Sequence, residues 1–399
     1  MGTRAWRVGA FLLGMLWANL GLAADWSVVP SVTARTEFNS NLAYSFTQKV
    51  SDVIFAVRPA VDVNYATEVS LLQAHLGLNG LAYVKNANLD HIDQNYQVNG
   101  QYRVAPRWNL SLRSAYIVDT TLTEELLVSG LVMSRTPRQS IQVGPAVTYN
   151  VTERLAATFN YNFNRVNYQD PQFRDYTYQV AGLRLDYPLK NEKTVAVANF
   201  LVRETRFPGT DKYRSIGIYA GGVHRFTENW DVNLFAGANI SFLNFSTVVV
   251  ATPTTFAVVP TPTKFKSTEV NPYFNIFTTR RWTNLSLTAG FLRDESPTAF
   301  SSISEQNRIY GSASYNFSEK LAAGLNGYYS LTTQTSQGNN LKNDYFSIGP
   351  EVRYRVTEKL SLLPGYRFGL RNDLTGNRSA TVHAVWLMAT YEFPIHFQR

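Results

Sequence analysis

Along most of the chain, apolar and polar residues alternate with a period of two. Phe159, Tyr161 and Phe163 alternate with Thr158, Asn160, Asn162 and Asn164. Phe346, Ile348, Val352, Tyr354 and Val356 alternate with Ser347, Gly349, Glu351, Arg353 and Arg355. The same alternation runs through Tyr96–Val104 and Ile141–Tyr149. A period of two sends successive side chains to opposite faces of a strand, so the chain reads as all-β.

Short polar turns recur about every forty residues. The clearest are Tyr149-Asn-Val-Thr-Glu-Arg-Leu155, Tyr315-Asn-Phe-Ser-Glu-Lys-Leu321 and Tyr354-Arg-Val-Thr-Glu-Lys-Leu360, with His224-Arg-Phe-Thr-Glu-Asn-Trp230 as a fourth. Looser copies begin at Tyr65, Tyr102, Tyr187 and Phe277. Between turns lie two alternating runs of roughly ten residues, the length a tilted strand needs to cross a bilayer. Aromatics sit at the turn ends, with small or aliphatic residues mid-strand, as lipid contact requires and a sandwich core does not. Eight turns imply about 18 strands of a transmembrane antiparallel β-barrel, with short periplasmic turns, longer outer loops and both termini periplasmic. The outer loops are expected near 38–51, 85–92, 119–136, 167–173, 205–211, 244–267, 293–304, 334–341 and 372–378.

The first residues differ from the rest. Arg4 and Arg7 precede an apolar run from Val8 to Leu22 that ends in Ala23-Ala24, the pattern of a secretory signal peptide over residues 1–24. Residues 25–399 show no linker or shift in composition and read as a single barrel domain. A mean hydropathy of only -0.18 fits lipid-facing and lumen-facing residues that cancel. With no cysteine there is no disulfide, thiolate ligand or cysteine nucleophile. The net charge of +8 arises from dispersed arginines, without the single basic tract expected of a nucleic-acid binder. His75, His91, His224, His383 and His396 show no metal-ligand spacing, and no phosphate loop is present, so neither catalysis nor a cofactor is expected.

The turns and the last strand, Val385-Trp-Leu-Met-Ala-Thr-Tyr-Glu-Phe393, resemble the beta-barrel porin families of Gram-negative bacteria, some associated with exopolysaccharide export. That resemblance implies a cell outer membrane location, contact with outer-membrane lipid, and delivery by the barrel insertion machinery. It departs in one respect: a terminal Phe usually closes such a chain, whereas here Phe393 and Phe397 are followed by Gln398-Arg399.

Continuing the alternation from each turn places Arg35, Arg58, Arg103, Arg113, Arg184, Arg203, Arg225, Arg353, Arg355, Arg367 and Arg371 inward. The inward carboxylates on that reading are fewer, namely Asp62, Asp186, Glu351 and Glu392. Arginine at the bilayer midplane on the lipid face would cost about 2–4 kcal/mol, which favours the inward assignment. An arginine surplus implies a pore for small anionic solutes. The alternatives are an export conduit for an acidic polysaccharide and a barrel anchoring a surface adhesin or rim hydrolase. The segment Asn244 to Lys266 is unusually apolar for an outer loop, which marks Val248, Phe256 and Pro260 as a candidate constriction.

Overall fold

The computed structural model describes residues 25–120, 136–209, 211–251, 256–298, 302–336 and 339–398. The signal-peptide reading and most of the predicted 119–136 loop lie outside them. The strands are β1 (Asp25–Asn39), β2 (Asp52–Ala66), β3 (Ser70–Tyr83), β4 (His91–Ala105), β5 (Trp108–Thr120) and β6 (Pro137–Asn150). Next come β7 (Ala156–Tyr168), β8 (Tyr176–Pro188), β9 (Thr194–Arg206), β10 (Lys212–Thr227), β11 (Trp230–Ala251) and β12 (Phe256–Arg281). The remainder are β13 (Leu285–Pro297), β14 (Ile303–Asn316), β15 (Leu321–Ser336), β16 (Asn339–Arg355), β17 (Leu360–Asp373), β18 (Arg378–Glu392) and β19 (Ile395–Gln398).

From β1 to β18 each strand pairs antiparallel with the next in sequence, and the sheet closes where β1 meets both β18 and β19. Pro394, which has no N–H to give to the ladder, falls between those two segments. They therefore form one interrupted stave, and the wall is a closed barrel of eighteen. Closure matters in a bilayer because the hydrocarbon offers no partner to an unpaired backbone group.

The repeated turn has a chemical explanation. In three copies the strands are joined by the same pair of bonds, with Val151 N–H to Leu155 O, Phe317 N–H to Leu321 O and Val356 N–H to Leu360 O. The hydroxyls of Thr152, Ser318 and Thr357 each accept the N–H of the leucine that opens the next strand, at 2.9, 3.1 and 3.0 Å. A Ser or Thr there satisfies a donor that a tight turn would otherwise leave unpaired. The flanking aromatics pack in pairs, as in Trp26–Tyr65, Trp108–Tyr149 and Phe226–Trp230, with ring centroids 4.6, 4.5 and 4.4 Å apart. They form a girdle at the turn end.

Above the girdle the outward positions are apolar and uncovered: Phe159, Val202, Val270 and Ile309 expose 56, 57, 67 and 55% of their surface. In a soluble protein that would be an aggregation hazard; around a barrel it is a lipid belt.

One predicted loop is a strand pair. The ladder joins Thr247 through Ala251 to Pro260 back through Phe256, so Val248 and Phe256 stand in a hairpin that extends β11 and β12 past the wall. The β-branched Val and Thr and the aromatic Phe of this segment favour strand pairing as readily as they mark an apolar loop. Residues 252–255 lie outside the described ones. β12 also leaves the wall early: it pairs with β13 only from Phe274↔Arg293 downward.

Candidate pore site

The ladder puts all eleven predicted arginines on the face turned away from the lipid belt, but it treats them unequally. Toward the loop end Arg203 and Arg371 are buried, and Arg35 and Arg58 are half-buried with side-chain partners. Arg203 is 5% exposed and holds Asp294 with two bonds, Nη1 to Oδ1 at 2.9 Å and Nη2 to Oδ2 at 3.2 Å. Asn239 donates to the same carboxylate at 3.3 Å. Next along β13, Glu295 accepts from the Tyr213 hydroxyl at 2.6 Å, the Ser241 hydroxyl at 2.9 Å and the Asn271 amide. Consecutive residues of a strand ordinarily face opposite ways. Asp294 and Glu295 both reach the inner side of β9–β12 because β13 is no longer held to β12 at that height.

Across the barrel, Arg35 pairs with Glu37 and lies 5.1 Å over the Trp386 ring. Arg58 donates to Asn79 at 2.9 Å, and Asn79 donates to Asp93 at the same distance. Arg58 and Arg367 are the cations near Arg35. Arg184 is the exception by position, for it lies in the turn half of β8, 42% exposed, and is bound by Asp186 at 2.7 Å. Arg371 is 2% exposed and its guanidinium sits 4.6 Å over the Phe46 ring.

Toward the turn end the picture reverses. Arg103, Arg113, Arg225, Arg353 and Arg355 are exposed on the inner face, and none has a carboxylate within ion-pair distance among the described residues. The line on β16 and β17 from Arg353 and Arg355 through Arg367 to Arg371 therefore begins in uncovered charge and ends in buried charge.

The inward carboxylates are more numerous than the alternation suggested. Besides Asp62, Asp186, Glu351 and Glu392, the inner face carries Glu37, Asp93, Asp119, Asp231, Asp294 and Asp373, with Asp231 opposite Arg225 in the ladder. Arg138 and Arg308 are inward as well, and Arg138 binds Asp119 at 2.8 Å. Glu37, two residues from Arg35, was readable from the same period. His75 faces Asp62 at 2.7 Å and His91 faces Asp93 at 3.1 Å, so two of the histidines join wall pairs. His224 stands in the girdle beside Phe226. Among the described residues no three His, Asp or Glu side chains are grouped to hold a metal ion.

The loop between β1 and β2 is the inward-packed segment. Ser40 N–H donates to His383 O at 2.9 Å, and the Ser40 hydroxyl receives the His383 N–H at 2.8 Å. Asn41 ties the loop to itself through Ser45 and to the Thr381 carbonyl at 3.3 Å. Tyr44, at φ 50°, is 2% exposed; it packs on Tyr345 and Val382 with its hydroxyl 3.1 Å from that of Tyr345. Gly369 makes room for it, since a Cβ there would lie 2.6 Å from the Tyr44 hydroxyl. Phe46 covers Arg371 and Arg378. The signal was present in Leu42, Tyr44 and Phe46, three large apolar or aromatic side chains in a short outer loop.

A closed sheet, a lipid belt and a charged, partly hollow interior define a transmembrane β-barrel channel. Residues 21–199 match the family model described as "Putative beta-barrel porin 2", and residues 255–388 match the one described as "Putative MetA-pathway of phenol degradation". Each match covers less than half of the chain, and the first makes its N-terminal part similar to a beta-barrel porin. No curated protein matches the chain. Solved structures similar to the chain include the outer membrane protein opdK from Pseudomonas aeruginosa, 12% identical over 93% of this chain and 99% of that one, with a TM-score of 0.47. OccAB4 of Acinetobacter baumannii is 10% identical over 94% and 100%, TM-score 0.47. The loop-deleted OmpT of Vibrio cholerae is 12% identical over 93% and 100%, TM-score 0.43.

Proposed function

We propose that the protein is a passive diffusion pore for small solutes with a preference for anions, and that the preference is set in the periplasmic half of the lumen. The observation that carries this reading is the set of exposed inner arginines without acid partners: Arg103, Arg113, Arg225, Arg353 and Arg355. Five guanidinium groups facing confined water raise the local concentration of anions, whereas an arginine already bonded to a carboxylate adds little field. Asp62, Asp231, Glu351 and Glu392 on the same inner face lower the surplus without cancelling it. The loop of residues 40–51 narrows the outer half, and solutes pass down a gradient with no group of the wall taking part in chemistry.

The test is a reversal potential under a salt gradient in a planar bilayer. Wild type should favour chloride over potassium, more weakly as salt rises and the Debye length falls from about 10 Å at 0.1 M to about 3 Å at 1 M. Replacing Arg103, Arg225, Arg353 and Arg355 together with Gln should abolish the preference while leaving heat-modifiable migration intact. A cation-selective wild-type pore would overturn the reading, and a barrel that does not conduct would leave an anchoring role in its place.

A further inference from the structure

The outward face is apolar around the whole barrel until the loop end, where its charge becomes uneven. On six neighbouring strands the ladder sets Arg165, Thr177, Arg206, Lys212, Asn244 and Lys266 side by side in one row. The next row toward the turns brings Glu204 beside Arg214 and then Phe242. Glu204 gathers the cations: it accepts from Arg214 Nε at 2.6 Å, from Lys212 Nζ at 3.2 Å and from Arg206. One carboxylate thus orders three cations and leaves a net surplus of positive charge.

The two guanidinium groups remain 59% exposed while Glu204 itself is only 17% exposed, so the anion is inside the cluster and the cations are outside it. Phe242 in the Glu204 row and Val202 and Ile216 in the next toward the turns, 43, 57 and 42% exposed, belong to the lipid belt. A hollow of about 380 Å³ opens beside Lys212, Arg214 and Phe242. Elsewhere on the same rim the outward charges are more scattered: Arg293 is paired with Glu305, and Lys342 stands two residues from Asp344.

We propose that this face is a binding site for lipopolysaccharide, with the phosphate groups of its headgroup held by Arg206, Arg214 and Lys212 and its acyl chains lying along Val202, Ile216 and Phe242. The chemistry selects the ligand. Guanidinium groups bind phosphate through paired N–H donors. A cluster placed at the upper edge of an apolar belt meets a molecule that carries phosphate immediately above hydrocarbon. The assignment shares one premise with the pore reading, that the long-loop end faces outward, and is otherwise independent of it.

Mature protein refolded from lipopolysaccharide-free material into detergent is titrated with lipopolysaccharide, with chemically dephosphorylated lipopolysaccharide and with phosphatidylglycerol, and binding is followed by native mass spectrometry. Wild type should bind lipopolysaccharide tightest of the three. The R206Q/K212Q/R214Q variant should bind it roughly a hundredfold more weakly, at about 1 kcal/mol for each surface cation. Dephosphorylation should weaken binding to wild type by a similar factor and change little for the variant. Should the triple variant not refold, Arg214→Gln alone, at a half-exposed position, should weaken binding about fivefold. Variants that bind as wild type does, or phosphatidylglycerol bound as tightly as lipopolysaccharide, would overturn the proposal. Ion selectivity of these variants should equal that of wild type, which separates this site from the pore.

Discussion

The two halves of the inner wall use the same residue in opposite ways. Toward the loops, Arg203 and Arg371 are almost fully buried, Arg203 in a two-bond grip on Asp294 and Arg371 beneath Phe46. Toward the turns, Arg353 and Arg355 stand uncovered, with no carboxylate at ion-pair distance among the described residues. Burial explains the difference. A charge removed from water must be paired or hydrogen-bonded, whereas one facing a water-filled lumen need not be. Counting arginines on the inner face therefore overstates the field in the outer half and describes it well in the inner half.

The comparison can be broken most visibly by opening the narrow half. Removing residues 42–48, or crowding Tyr44 out of its seat with Gly369→Leu, should raise single-channel conductance several-fold, because the segment packed on β16–β18 is released in either case. Unchanged conductance in both variants would show that the narrowest point lies elsewhere.

A smaller effect sharpens the contrast in stability. Asp294→Asn strands the buried Arg203 guanidinium and should cost on the order of 3–5 kcal/mol. Arg353→Gln in the open half should stay within about 0.5 kcal/mol. Urea unfolding from lipid vesicles compares the two directly, and equal losses would contradict the division into paired and unpaired halves. The smallest effect is expected from trimming Val248 to Pro260. That hairpin pairs only with itself above the wall, so conductance should hardly change. A marked rise on trimming would return the constriction to the hairpin.

Much of the barrel was legible because local chemistry dictates it. The Thr/Ser-Glu-Lys/Arg turns carry their own hydrogen-bond partner, and the two-residue period assigns faces wherever the ladder runs unbroken. Two things were not legible, for physical reasons. Arg203 meets Asp294 across 91 positions of sequence, and no local pattern encodes that meeting. Glu295 defeats the alternation because β13 parts from β12 at that height, so a residue phased outward turns inward. The 40–51 loop was missed for a different reason. Its three large side chains form a shorter apolar signal than Val248–Pro260, although they are the ones that reach the wall.

The interrupted closing stave bears on the order in which the barrel assembles. Every other ladder joins neighbours in sequence, but β1 must find partners at the far end of the chain, as in the hydroxyl pair Thr33–Thr390 at 2.8 Å, 357 residues apart. Contacts of such separation bear the largest chain-closure entropy and form late. The seam then offers two independent footholds, β18 against Ser31–Asn39 and β19 against Asp25–Val28, separated by Pro394. Sealing can proceed in two steps, with the longer segment zipped first and the short terminal one latching after it. Until it latches, the free edge of Asp25–Val28 has a neighbour only in β2.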